Sequence, residues 1–288
     1  QAGLLVDDFR LTTLARDVTG PSGLVWDPRG ALYVALGGAQ SVTNALQLIE
    51  PDGTDANGSP SYANIDAVTL GADGRLYAVA TGTREILAYP DSGGAPTVIA
   101  TEIAGNDLVV AHNGNLYVTN PPAGGSNEPS KIWLIKPDGT KQVVDTGLKF
   151  ANGITLSPDQ TLLYVADYRS HWVYSYVIQP DGTLAHKQRY FHLHSRDEDD
   201  ESFADGLKVD RDGNLYVATR LGIQICDQAG RVNAILPLPN GRITNLCFGG
   251  PAFDTIYATC GDQVYRRKVN TRGAFAWEAP HKPAPPRL

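Results

Sequence analysis

The chain repeats one pattern six times, and this repeat limits what it can fold into. Each copy begins with a small polar residue, continues through a short apolar strand and a turn rich in Asp, Gly or Pro, and ends in a strand built around Leu-Tyr or Ile-Tyr. Several short strands repeated every 40 to 50 residues or so are typical of propeller blades. The first residues of the copies are 44, 40, 46, 53 and 40 positions apart and are Ser22, Asp66, Asn106, Asn152, Asp205 and Asn245.

The segments between the copies predict the rest of each blade. Alternating runs such as Trp172 to Val177 follow each hairpin and are separated by turns such as PDGT, which indicates four strands per blade. We therefore predict an all-β fold, a single six-bladed β-propeller domain over residues 1–288. The stretch from Leu4 to Ala15 is predicted to pair with the last blade and close the ring, because an open sheet edge invites aggregation. The proline-rich tail from Ala279 is predicted to be an irregular strap.

Composition narrows the range of partners and compartments. The net charge of −7 argues against binding to nucleic acid or to an anionic membrane, and no apolar run is long enough for a membrane-spanning helix. The three cysteines lack metal-ligand spacing, so buried free thiols are expected in preference to a bond between Cys247 and Cys260. The chain contains no Met and starts at Gln1. Removal of a signal peptide would explain this, as would trimming of the chain; a secreted or periplasmic location is slightly preferred over a cytoplasmic one.

The first residues of the six copies form the predicted site. The innermost strand of each blade runs along the central channel from one mouth, so equivalent positions lie at one height around the axis. All six residues carry a side-chain oxygen; capping of turns by Asn and Asp is the alternative explanation, and it accounts poorly for six of six. Oxygen donors that include two carboxylates and no His or Cys favour a hard divalent cation. Ca²⁺ fits best, with Mg²⁺, Zn²⁺ or Mn²⁺ as alternatives.

Three segments resemble a known family. NDLVV at Asn106, FANGITLSPDQTLLYVADY around Asn152 and FADGLKVDRDGNLYVAT around Asp205 are similar to motifs of the gluconolactonase and regucalcin (senescence marker protein) family. The resemblance implies a six-bladed propeller that binds calcium or another divalent ion and hydrolyses sugar lactones. It also implies that Asn152 and Asp205 are metal ligands, that Asn106 is a ligand or a substrate contact, and that Asp205 activates the attacking water.

The first copy departs from this family pattern. The family has a Glu ligand in a Glu-Gly-Pro-x-Trp segment of the first blade, whereas SGLVW places Ser22 in that position. This change is expected to lower metal affinity, or to transfer the negative charge to Asp66 of the neighbouring blade. Loss of the metal or a changed reaction is the further alternative.

Loops at the channel mouth offer candidate substrate contacts. Arg84, Arg169 and Arg220 are positioned to bind a sugar-acid carboxylate by bidentate pairing, although surface arginines that keep a protein soluble are the plainer explanation. Asn245 is assigned to substrate binding together with them. We predict a metal-dependent hydrolase that opens a sugar lactone. The alternatives are a metal-dependent esterase, a phosphotriesterase or a sugar-acid lyase on the same site, and a binding propeller without catalysis. The expected partner is a small molecule, and the oligomeric state stays open.

Overall fold

The computed structural model describes residues 12–15, 21–28, 30–36, 46–49, 65–90, 95–124, 126, 128–239 and 242–286. This part of the chain contains 23 β-strands and no α-helix, so none of the described residues forms a helix that could cross a bilayer. The strands form six antiparallel sheets, five with four strands and one with three. The prediction of an all-β propeller is confirmed.

The strands of the six sheets follow one another along the chain. The first three sheets comprise β2 (Pro21–Asp27), β3 (Ala31–Leu36) and β4 (Leu46–Ile49); β5 (Ile65–Leu70), β6 (Leu76–Ala80), β7 (Glu85–Tyr89) and β8 (Thr97–Thr101); and β9 (Leu108–Val110), β10 (Leu116–Asn120), β11 (Lys131–Ile135) and β12 (Lys141–Thr146). The fourth and fifth comprise β13 (Ala151–Leu156), β14 (Leu162–Asp167), β15 (Trp172–Ile178) and β16 (Leu184–His192); and β17 (Leu207–Val209), β18 (Leu215–Thr219), β19 (Gly222–Cys226) and β20 (Val232–Leu236).

The sixth sheet combines the two ends of the chain. It comprises β21 (Ile243–Gly249), β22 (Thr255–Cys260), β23 (Gln263–Lys268) and β1 (Thr12–Ala15). Strand β1 pairs antiparallel with β23, with Thr12 opposite Arg266. The predicted N-terminal strand began at Leu4, and its part before Thr12 lies outside the described residues.

Apolar layers between neighbouring sheets form the core. Side chains alternate along each strand, so both faces of a sheet pack against a neighbouring sheet. Each neighbouring pair in chain order buries a cluster, and a further cluster joins Trp26 of the first sheet to Tyr257 of the sixth. Their two rings are stacked with centroids 5.2 Å apart. The innermost strands contact one another in the same sequence, including β21 with β2.

Two of the repeated tyrosines form hydrogen bonds through their hydroxyls to a turn of their own sheet or of a neighbouring sheet. The Tyr117 ring is 1% exposed, and its hydroxyl donates to the carbonyl of Gly182 in the fourth sheet at 2.8 Å. The Tyr216 hydroxyl donates to Asp210 Oδ2 at 3.2 Å in its own turn. A buried tyrosine needs such a partner for its hydroxyl, and the Asp of the turn supplies it for Tyr216.

The cysteines and the tail agree with the sequence predictions. Cys226, Cys247 and Cys260 are buried free thiols. Burial raises the pKa of Cys226 and of Cys247 to about 12. After the bridge between Asp210 and Gly273, the described tail up to Pro286 has no strand.

Candidate active site at the tunnel mouth

The innermost strands begin at a β-bulge. The pairing register shifts at this point in the first, second, fourth and sixth sheets. In the third sheet, the Asn106 N–H donates to the Thr119 carbonyl at 2.8 Å and the Thr119 N–H donates to the Asp107 carbonyl at 3.0 Å, so two residues face one. A bulge bends the strand and redirects a side chain. The bulges therefore mark the end of each inner strand where the predicted ring of oxygen donors lies.

Strand register corrects one member of this ring. The residues paired with the repeat tyrosines are Val25, Thr69, Val109, Thr155, Lys208 and Cys247. Three positions before them lie Ser22, Asp66, Asn106, Asn152, Asp205 and Thr244. The prediction of Asn245 at the ring position was therefore wrong by one residue. Cys247 and Tyr257 are ten positions apart, whereas the equivalent pairs are eight apart in the first, second, third and fifth sheets and nine apart in the fourth. The longer β21–β22 turn is the reason why counting back twelve positions from Tyr257 stopped at Asn245.

Asn245 lies one residue deeper in the tunnel than predicted. It is 5% exposed, and its side-chain oxygen accepts a hydrogen bond from the Leu246 N–H at 2.8 Å. A Cβ at Gly206 would collide with the Asn245 side chain. Asn245 therefore packs the layer below the mouth. Thr244 takes the ring position, and its hydroxyl lies 2.8 Å from the Thr259 hydroxyl.

Asp205 and Asn152 lie near each other at the mouth. The side chain of Asp205 is 13% exposed, and the side chain of Asn152 lies near enough to influence its pKa. Burial raises the pKa of Asp205 to about 7, and the negative charge of Asp107 acts in the same direction, whereas Arg242 and Asn152 oppose the rise. Asp205 and Asn152 lie at equivalent positions of neighbouring inner strands, as a shared ion would require.

The close approach of these two strands depends on Gly153. A Cβ at this position would collide with the carbonyl oxygen of Asp205 and would lie 2.9 Å from the Cα of Gly206. Only a residue without a side chain lets β13 come this near. In the Asn-Gly and Asp-Gly pairs of the repeat, the first residue provides an oxygen donor. The glycine that follows lets the neighbouring strand come close, so the next oxygen donor lies nearby.

The other predicted ligands occupy the same layer with fewer shared contacts. Asn106 is half-buried, and its partner Thr119 also donates from its hydroxyl to the Asn152 carbonyl at 2.6 Å. Asp66 is half-buried and hydrogen bonds to Thr81; burial raises its pKa. Ser22 lies in β2, and its side chain is outside the described part.

A buried carboxylate, Asp107, and a nearby lysine, Lys208, lie below the mouth. Asp107 is 5% exposed and stands at the position where other copies have glycine, as at Gly153 and Gly206. Its carboxylate accepts hydrogen bonds from the N–H groups of Leu108, at 2.8 Å, and Ile154, at 3.2 Å. Burial raises the pKa of Asp107, and the positive charge of Lys208 opposes the rise. Composition alone did not reveal this pair.

The C-terminal tail closes the tunnel away from the mouth. A cavity of about 40 Å³ is lined by the tyrosine partners of all six inner strands and by Phe275, Ala276 and Trp277. Phe275 and Trp277 stack with centroids 5.1 Å apart. Gln160 holds the tail by donating to the Ala276 carbonyl at 2.9 Å. A substrate therefore reaches the ring from the mouth.

The predicted arginines lie in loops between the second and third strands of their sheets, as expected. Arg84 donates to the Glu102 carbonyl at 3.5 Å, within its own sheet. The Arg220 guanidinium is 3.0 Å from Asp199 and 3.6 Å from the centroid of the Phe203 ring. The Arg169 guanidinium lies 5.0 Å from the Phe150 ring centroid and is exposed.

An aromatic row that the sequence analysis missed runs above the two central ligands. Phe150 and Phe203 each precede a ring residue by two positions. The Tyr168 ring lies between them, with centroid distances of 5.6 Å to Phe150 and 5.3 Å to Phe203. Arg242 precedes Thr244 by the same two positions and joins this layer. The common offset before the ring position is the signal that could have revealed these residues.

The donor chemistry fits a hard cation. Among the described residues, no three His, Cys, Asp or Glu side chains cluster as a metal site. A cation at the mouth would therefore bind amide oxygens beside carboxylates, which Ca²⁺ accepts more readily than Zn²⁺ does. Asp205 and Asn152 would hold it, with Asn106 in the same layer.

Comparisons with known proteins place the chain in a protein family. A family model described as SMP-30/Gluconolactonase/LRE-like region matches residues 59–262. A gluconolactonase from Zymomonas mobilis is 28% identical over 228 residues, which are 72% of this chain and 64% of that protein. The chain thus spans less than two thirds of the length of this relative.

Solved structures share the fold. The structure of a gluconolactonase from Xanthomonas campestris matches with a TM-score of 0.79 and 24% identity, over 93% of this chain and 92% of the other. A calcium-binding protein, regucalcin, from Agrobacterium tumefaciens matches with a TM-score of 0.75 and 16% identity, over 95% and 96%. At these identities the two structures support the fold and leave the chemistry to the residues at the mouth.

Proposed function

Because the chain belongs to the SMP-30/gluconolactonase/LRE-like family, we propose that it is a hydrolase that opens sugar lactones at the mouth of its tunnel. The gluconolactonase from Zymomonas mobilis supports this substrate class. The observation that carries the proposal is the close approach of the strand after Asn152 to the backbone of Asp205, whose side chain is 13% exposed, at the mouth ends of adjacent blades. It supplies a shielded carboxylate beside an amide oxygen at a point that a substrate reaches from solvent.

The reaction needs a base, an oriented water and a proton for the leaving oxygen. Asp205 takes a proton from water as the water oxygen bonds to the lactone carbonyl carbon. The ring C–O bond then breaks, and the proton passes to the departing ring oxygen, which leaves a hydroxy acid. Asn152 orients the Asp205 carboxylate, and Asn106 in the same layer is proposed to contact the substrate. The aromatic row holds the apolar face of the sugar ring and excludes water.

The site is proposed to hold a divalent cation, with Ca²⁺ preferred because the donors are amide and carboxylate oxygens. Asp205, Asn152 and Asn106 would hold it, and Asp66 and Ser22 are proposed as further donors from their places in the ring. A bound cation would polarise the lactone carbonyl and lower the pKa of water. Arg169, exposed beside Phe150, is proposed to contact a substrate carboxylate.

The whole chain is proposed to form one closed six-bladed ring, a single domain over residues 1–288. The pairing of β1 with β23 and the cluster between the first and sixth sheets support this. Closure would hold the six bulges at one height, on which the shared site depends.

A lactone panel tests the function. Acid release from glucono-δ-lactone, galactono-lactone and xylono-lactone is followed in a pH-stat, with subtraction of the uncatalysed rate. The protein is assayed after chelation and again with added Ca²⁺, Mg²⁺ or Mn²⁺. We expect ring opening that Asp205→Asn lowers by about 10² to 10⁴, as for loss of a general base.

The matched control is Asp227→Asn. Asp227 is 15% exposed and pairs with Arg231, as Asp205 pairs with Arg242, but it follows the far end of β19, away from the mouth. Its substitution should leave the rate unchanged. Failure of the wild-type protein to accelerate any lactone under every cation condition would refute the proposal. p-Nitrophenyl acetate and paraoxon in the same panel identify an esterase or phosphotriesterase instead.

A further inference from the structure

A guanidinium is bound to the central carboxylate of the mouth. Arg242 Nη2 lies 3.0 Å from Asp205 Oδ2, and the Arg242 guanidinium carbon lies 5.2 Å from the centroid of the Tyr168 ring. The Arg242 side chain is 46% exposed, whereas that of Asp205 is 13% exposed. Arg242 therefore approaches Asp205 from the solvent side, the side from which an ion or a substrate arrives.

Each of the two central carboxylates already has a cationic side chain near it. At full ionisation, Lys208 opposes Asp107 below the mouth and Arg242 opposes Asp205 at the mouth. A divalent cation on Asp205 would share the carboxylate with Arg242 and repel it, since like charges a few ångströms apart disfavour each other. The Tyr168 ring gives the guanidinium a second binding surface beside Asp205.

We propose that Arg242 is a built-in counter-cation of Asp205 that a divalent cation displaces, so that Arg242 sets the cation affinity of the site. The inference rests on the proposed cation site at Asp205 and Asn152. After displacement, Arg242 stays stacked on Tyr168 at the rim, where its N–H groups face an arriving substrate oxygen. Ion binding thereby frees the Arg242 guanidinium to bind the substrate.

The size of the effect follows from the exposure of the pair. A partly exposed Arg–Asp pair is worth a factor of about 1.4 to 5 in an equilibrium constant. Relief of the repulsion between Arg242 and the ion adds to this. Arg242→Gln should therefore bind Ca²⁺ about three- to tenfold more tightly than the wild-type protein at low ionic strength, and the difference should shrink with salt. Arg242→Lys, which keeps the charge without the planar fork, should lie between the two.

Isothermal titration of the chelated full-length protein with CaCl₂ tests the proposal directly, independently of catalysis. Arg231→Gln is the matched control, because Arg231 is an exposed arginine bonded at 2.8 Å to the largely buried Asp227 away from the mouth; its affinity should equal that of the wild-type protein. Circular dichroism melting checks that each variant folds. A second readout is the KM for an acidic sugar lactone, which should rise in Arg242→Gln while Ca²⁺ affinity also rises.

Two outcomes would overturn the inference. Equal or weaker Ca²⁺ binding by folded Arg242→Gln would mean that Arg242 does not compete for Asp205. If neither the wild-type protein nor the variant bound Ca²⁺, there would be no bound ion for Arg242 to compete with. In that case the lactone panel without added cation decides separately whether the proposed hydrolase activity stands.

Discussion

Substitution of Gly153 by alanine tests the strand contact that brings Asp205 beside Asn152. The added Cβ would collide with the Asp205 carbonyl oxygen and lie 2.9 Å from Gly206 Cα. Carbon atoms in contact prefer about 3.5–4.0 Å, so the two strands must separate by about 1 Å. Gly153 has no positive φ that would add backbone strain. The effect of Gly153→Ala is therefore steric and local.

The expected magnitudes are measurable. Overpacking of this kind lowers the free energy of unfolding by about 1–3 kcal/mol. With an unfolding entropy of about 2.1 cal/mol/K per residue, the 288 residues give about 0.6 kcal/mol/K, so Tm should fall by about 2–5 °C. A displacement of about 1 Å at the reacting groups lowers kcat/KM by about 10². Calorimetry and the lactone pH-stat assay measure the two effects.

Gly124→Ala is the matched control. A Cβ at Gly124 meets no heavy atom within 4 Å, and its φ is not in the left-handed region. This variant should keep wild-type activity, with a stability change within about 0.5 kcal/mol. If Gly153→Ala matched it in both Tm and kcat/KM, the argument that glycine sets the distance between Asn152 and Asp205 would be refuted.

Three further predictions follow from the packing. Tyr117→Phe loses the 2.8 Å hydrogen bond to the Gly182 carbonyl and should lower stability by about 1 kcal/mol without changing kcat; a large loss of activity would place the role of Tyr117 elsewhere. Because burial raises the pKa of the Cys226 and Cys247 thiols to about 12, the native protein should not react with Ellman's reagent at pH 8, whereas the unfolded chain should titrate three thiols; rapid native labelling would contradict this. Trp277→Ala removes part of the tail that closes the tunnel and should lower the free energy of unfolding by about 2–4 kcal/mol, yet change KM less than threefold, because substrate enters at the opposite mouth; a larger KM change would indicate entry from the tail side.

Much of the fold could be predicted because each copy of the repeat contains the same strand and turn signals. Each Tyr anchors a hairpin and each Asp-Gly turn ends one, so the inner strands followed from spacing alone. The register of the last copy did not. The turn between β21 and β22 is two residues longer than the turn of most other copies, and the count back from Tyr257 allowed for only one of them. Such an insertion leaves the apolar pattern intact while moving Asn245 one step below the mouth.

The sequence predicts neighbouring site residues best where a glycine follows them. The strands of Asn152 and Asp205 approach closely because Gly153 has no side chain. Arg242 and the aromatic row were missed because their importance depends on the distance across blades, which sequence spacing does not report. Arg220 was predicted to bind a substrate carboxylate, and in the structure its guanidinium pairs with Asp199, which sequence spacing did not place beside it.

A crystal structure of the protein with CaCl₂, with the ion identified by anomalous scattering, tests the central claim most directly. The account predicts one ion at the tunnel mouth, with oxygens of both Asp205 and Asn152 at about 2.3–2.6 Å and the Arg242 guanidinium moved off the Asp205 carboxylate. An ion bound elsewhere, or a mouth without an ion and with the Arg242–Asp205 pair intact at saturating Ca²⁺, would contradict it.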